Sequence, residues 1–188
     1  MDAVCNEADC ACEVLAAEPA GETPAGLGDG LRRLARLRAR AEARHAAWIA
    51  EAERTDAARK QGFHSTTEWL AAVSGEPVPV ARSQVAVAAA LQQMPATQEA
   101  FAAGVVPQSR VRALAQAQAL APEQFARDEA LLLAQVAAAA PQQVPTVLNS
   151  WKRTVDATAA EAEAERLHEL RALHVSKSWA GMVHLNGD

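Results

Sequence analysis

The sequence predicts an all-α fold: a multi-helix bundle with a helix-turn-helix-like pair and a C-terminal β-hairpin. Three observations predict it. Half of the 188 residues are apolar, but many of these are alanine and only 4% of the chain is aromatic. Alanine is the best helix former, whereas a sandwich or barrel draws on β-branched and aromatic residues. Apolar residues recur at steps of three or four, the period of one helix face. Pro and Gly then punctuate the chain at helix-length intervals.

Residues 1–28 combine Pro and Gly with six acids (Asp2, Glu7, Asp9, Glu13, Glu18 and Glu22) and no Lys or Arg. They read as a disordered acidic leader. Cys5, Cys10 and Cys12 all fall within it. Their odd number and spacing fit incidental free thiols rather than a disulfide framework or zinc site.

The helical domain is placed at 29–173. Asp29 is the expected N-cap of a helix over about 30–60, with Leu31, Leu34, Leu37, Ala41, His45, Trp48 and Ala52 on its core face. Arg32, Arg33, Arg36, Arg40 and Arg44 fall mainly on the other side. Gly62 stops that helix. Ser65 and Glu68 have the spacing of a capping box, which opens a short helix over 66–73 with Phe63 or His64 stapled to Trp69. Pro79 starts the next helix, whose apolar face is Ala81, Val85, Ala88 and Leu91. Further helices are expected at 96–103, ended by Gly104, and at 107–120, 122–140, 146–153 and 156–171. Trp48, Trp69 and Trp151 read as core anchors. Residues 174–188 read as a β-hairpin turning at Trp179-Ala180-Gly181. The hairpin is expected to begin a C-terminal part that is missing, because two strands alone are barely stable in water.

Beyond residue 28 the charges nearly balance, with 18 bases against 17 acids. Residues 32–60 hold nine bases and four acids, a local excess compatible with a nucleic-acid partner. No apolar run is long enough for a membrane helix and no secretory signal opens the chain. The expected location is therefore cytoplasmic, away from membranes. No paired carboxylates, nucleophile triad, nucleotide-binding glycine loop or HExxH motif occurs, and no small-molecule substrate is evident. His45, His64, His168, His174 and His184 are scattered, so no metal site is expected.

Several segments in order carry a family resemblance. They are Gly62-Phe63 with Ser65-Thr66-Thr67-Glu68-Trp69-Leu70-Ala71, Leu91 with Met94-Pro95, and Ala100 with Gly104-Val105-Val106-Pro107. Arg110-Val111 with Leu114-Ala115, Arg171 with Val175-Ser176, and Gly181-Met182-Val183-His184-Leu185-Asn186-Gly187 follow. Over about 30–188 the chain resembles the 13E12 repeat family, domain of unknown function 222, of high-GC Gram-positive bacteria. The resemblance implies a helical domain preceding an HNH nuclease module. Only that module would hold a divalent metal and catalytic residues; this chain contains no HNH motif, so no catalytic residue carries over and no cofactor is expected in it.

The chain therefore reads as a non-catalytic, DNA-associated accessory domain. Duplex DNA would meet Arg82, Ser83 and Gln84 on the second helix of the helix-turn-helix-like pair. In this arrangement Arg suits guanine and Gln suits adenine. Arg32, Arg33, Arg36, Arg40 and Arg44 would meet phosphates. Both sets also read as ordinary solvated helix faces. The alternatives are a protein-interaction module, with homo-oligomerisation through helix 30–60, and a truncated remnant without independent activity.

Overall fold

The computed structural model describes residues 12, 14–169, 173–177 and 183–187. Cys5, Cys10 and Trp179 lie outside them. The described residues are mostly helical, with residues 14–16 also in a helical turn. The helices are α1 (Pro24–Arg54), α2 (Ala57–Lys60), α3 (Thr66–Ser74), α4 (Val78–Leu91), α5 (Pro95–Ala102), α6 (Gln108–Leu120), α7 (Pro122–Ala138) and α8 (Val144–Glu169). A 3-10 turn at Pro141–Gln143 precedes α8. The chain divides into two units, residues 1–148 and 149–188. In the second, β1 (Leu173–Lys177) pairs antiparallel with β2 (Val183–Gly187), placing Val175 opposite Leu185. The residues joining these strands lie outside the described set.

Capping sets the helix starts. Thr23, not Asp29, caps α1: its Oγ1 accepts from Gly26 N at 3.1 Å, with Pro24 in the first turn. Residues 24–28 thus belong to the helix rather than to the leader. The expected single helix to residue 60 is broken after Arg54. Thr55 caps its C-terminus, and Asp56 takes the left-handed conformation at φ 54° before α2 begins. Neither Gly nor Pro marks that break. Ser65 Oγ accepts from Glu68 N at 3.2 Å and opens α3, one half of the expected box. Trp69 Nε1 donates to Gln61 Oε1 at 3.1 Å. Gly75, left-handed at φ 70°, ends α3. The joint to α4 is then three residues, Gly75-Glu76-Pro77. The expected break between 153 and 156 is absent, because nothing there opposes helix propagation and α8 runs through it.

The core of the first unit is built from Met94, Phe101, Val106, Val111, Leu114, Phe125, Leu132 and Val136, all essentially inaccessible. α1 packs on α4 and α5, α3 on α4, α6 on α4 and α7, and α5 on α7. Alanines line many of these contacts, among them Ala39, Ala46, Ala81 and Ala88. Short side chains let helix axes approach closely.

Two long-range polar contacts close helix ends within this core. Glu129 on α7 is buried, and its Oε1 accepts from Thr97 N at 2.8 Å. The carboxylate thus supplies the anion and acceptor that the first turn of α5 lacks, since Met94 makes no side-chain cap. At the C-terminal end of α7, Arg110 donates to Ala137 O at 2.5 Å and to Ala139 O at 2.8 Å. Its guanidinium satisfies C-terminal carbonyls and opposes the negative end of the helix dipole.

Gly104, at φ 75°, fixes the approach of α1 to the turn after α5. A Cβ there would lie 2.8 Å from Arg36 O and 3.1 Å from Arg40 Cγ. Gly104→Ala is expected to cost at least about 1 kcal/mol from left-handed strain alone, with displacement of α1 adding to it. Glu129→Ala is expected to lower stability by about 1.5–3 kcal/mol, the range for a hydrogen bond to a charged group. Urea unfolding of each variant beside the parent chain measures both.

Candidate nucleic-acid interface

The α1 helix carries three stripes, centred roughly a third of a turn apart at 100° per residue. The buried stripe is Ala39, Ala46 and Ile49, with Ala52 at its edge. The second stripe is Arg33, Arg36, Arg40 and Arg44, all exposed. The third holds Leu27, Leu31, Leu34, Ala41, His45 and Trp48, also exposed. This third stripe overturns most of the expected core face of α1, of which Ala52 is buried and Leu37 half-buried. Leu31 is 68% exposed and Trp48 74%, so Trp48 anchors no core. Trp69 and Trp151 are half-buried. The buried side of α1 carries Ala39, Ala46 and Ile49, while Leu27, Leu31 and Leu34 stay outside.

Ion pairs along α1 neutralise three of its arginines, Arg32, Arg38 and Arg54. Arg32 pairs with Asp29 one turn earlier, and the Arg32 hydrogen bond holds the Asp29 carboxyl below the ordinary aspartate range. Arg38 Nε donates to Glu42 Oε1 at 2.8 Å. Arg54 donates to both Glu51 oxygens, at 2.5 and 2.7 Å. That bond lowers Glu51 and raises Arg54 from their ordinary values. Among the described residues, Arg36 and Arg44 form no ion pair. Arg33, Arg36, Arg40 and Arg44 are exposed along about 17 Å of the helix at 1.5 Å per residue.

The helix-turn-helix-like pair places its three candidates unequally. Arg82 is exposed, while Ser83 and Gln84 are half-buried against α6. Ser83 and Gln84 line a cavity of about 210 Å³ with Val80, Gln108 and Arg112. Ser83, Val87 and Arg112 also border an adjoining groove of about 400 Å³ between α4 and α6. Gln84 Oε1 is enclosed there, with no donor among the described residues. An amide reading adenine presents both its oxygen and its nitrogen, so Gln84 would have to change rotamer first. The Arg row and Arg82 lie on separate helices, α1 and α4.

Sequence reasoning missed Gln108, Arg112 and Gln116. They recur every fourth residue on α6, so they share one face, and all three line the α4–α6 cavities. That spacing was the available signal. Gln118 Nε2 donates to Gln93 Oε1 at 2.7 Å and ties the groove's far end together.

Among the described residues no cluster of three His, Cys, Asp or Glu side chains could hold a metal ion. His45 and His64 are exposed and far apart in sequence, and the side chains of His168, His174 and His184 lie outside the description. Among the described residues no helix is long and apolar enough to cross a membrane. In comparison with known proteins, the chain matches no family model, no curated protein and no solved structure.

Because Arg32 holds Asp29 ionised, any stability from the pair is present above the ordinary aspartate range and is lost as pH falls through the lowered value. Carboxyl NMR titration is expected to show Asp29 titrating low in the parent chain. In Arg32→Ala it should return toward the ordinary value.

Proposed function

We propose that this chain is a non-catalytic, DNA-associated accessory domain, of the kind that accompanies HNH nucleases, and that it grips the phosphate backbone through α1. The observation that carries this reading is the exposed row of Arg33, Arg36, Arg40 and Arg44 along one side of α1. Over about 17 Å duplex DNA presents about ten phosphate charges, at one per 1.7 Å. Arginine forks match phosphate oxygens in pairs. The resemblance to the 13E12 repeat family supports the same reading.

The helix-turn-helix-like pair takes a secondary part in this proposal. A three-residue joint between α3 and α4 suits such a unit, and Arg82 is the side chain open to a duplex. Ser83 and Gln84, held against α6, position the start of α4 rather than reading bases. Contacts of the phosphate kind carry no sequence information, so binding would be general rather than site-specific.

The test is titration of the full chain with random-sequence duplex DNA over a range of salt. Binding is expected at low salt, falling steeply as salt rises. The combined Arg33→Ala, Arg36→Ala and Arg44→Ala variant should weaken it and flatten the logarithmic salt slope by about 2–3, at about 0.9 per lost phosphate contact. Arg82→Ala should weaken it less. No binding at low salt would overturn the proposal.

A further inference from the structure

We propose that the cavity between the starts of α4 and α6 binds hydrogen phosphate, free or as a phosphate monoester. This goes beyond the DNA reading and stands without it, because no residue of α1 lines the cavity.

The first observation is charge. Pro79 and Val80 from the first turn of α4 line the cavity, together with Gln108, the first residue of α6. The adjoining groove is lined by later residues, from Ser83 to Gln93 and from Arg112 to Ala119. Both helices therefore run away from the cavity in the same direction, and their positive ends meet at it. Neither helix has a side-chain N-cap or an acid in its first turn. Arg112, one turn into α6, adds a full positive charge and has no ion pair among the described residues. No acid lines the cavity or the groove.

The second observation is that donors and one acceptor face the same space. The Ser83 hydroxyl, the Gln108 amide and the Arg112 guanidinium supply donors. Gln84 Oε1 is the acceptor, enclosed and without a donor among the described residues, a state that costs free energy until a donor arrives. Sulfate and ionised carboxylates only accept, so they satisfy the donors and oppose Gln84 Oε1. Hydrogen phosphate accepts through its charged oxygens and donates through its remaining hydroxyl. It answers both kinds of group at once. A backbone phosphodiester carries no such proton, so this cavity is not a further contact to duplex DNA.

The third observation is room. The cavity holds about 210 Å³ and continues into the alanine-lined groove of about 400 Å³ through Ser83, Val87 and Arg112, which border both. The organic part of a monoester has space there.

The test is NMR titration of the full chain with sodium phosphate, sodium sulfate and dimethyl phosphate, each at constant ionic strength. Phosphate is expected to give saturable shifts at Val80, Gln108 and Arg112, and to bind about tenfold tighter than the other two anions, the worth of one hydrogen bond to a charged group. No saturable shift, or equal affinity for sulfate or dimethyl phosphate, overturns the proposal. This ratio is read on the parent chain and needs no variant. Arg112→Ala, at an exposed position, should weaken phosphate about tenfold with unchanged circular dichroism; unchanged affinity overturns the assignment. Gln84→Leu should bring the phosphate-to-sulfate ratio toward one, and a ratio that stays at the parent value equally overturns it. The Arg33→Ala, Arg36→Ala, Arg44→Ala variant should keep the affinity, whereas loss there would move the anion to α1. Phenyl phosphate at about pH 6, where about half of a monoester keeps its proton, separates the two sources. Tighter binding than inorganic phosphate makes the ligand an ester, and weaker binding makes it the free anion.

Discussion

The outward face of α1 depends on one close approach. At Gly104 the backbone passes so near Arg36 that no side chain fits between them. That contact settles the rotation of the helix. Once Arg36 O and the Arg40 stem lie against the turn, Ala39, Ala46 and Ile49 face inward. Leu27, Leu31 and Leu34, with Arg33 and Arg44, face out. The proposed phosphate-binding row lies on the side of α1 that this packing leaves open.

Much of the first unit was legible because prolines and glycines mark where helices cannot continue. Pro95, Pro122, Gly75 and Gly104 lie at or beside helix ends, as their backbone restrictions require. Two features were hidden for reasons of the same physics. The break at Thr55-Asp56 uses residues that tolerate, but do not demand, a non-helical conformation. The rotation of α1 was misread because leucine outranks alanine in any hydrophobic periodicity. In an interface limited by helix separation, the smaller residue is the buried one. At the candidate interface, Arg82 and the Arg row were found from residue type. The enclosure of Gln84 was not, since it depends on α6, which is more than twenty residues further along the chain.

The buried polar groups show how an alanine-rich core keeps its helices in order. Alanine gives little shape to hold one helix in register against another. Glu129 and Arg110 supply direction instead, each binding backbone groups that only one arrangement presents. Each also removes a helix-end group from the burden of being buried without a partner.

Ala121 alone joins α6 to α7, ending one helix and beginning the next. A single-residue joint leaves almost no slack, so the two helices meet as soon as both exist. Their contacts are close in sequence, and Arg110 fastens the open end of the pair 27 and 29 residues along. Loop closure over such spans is entropically cheap. The α6–α7 hairpin is thus the part of the chain able to assemble earliest during folding, presenting Val111, Leu114, Phe125 and Leu132 as a ready surface on which α4 and α5 condense.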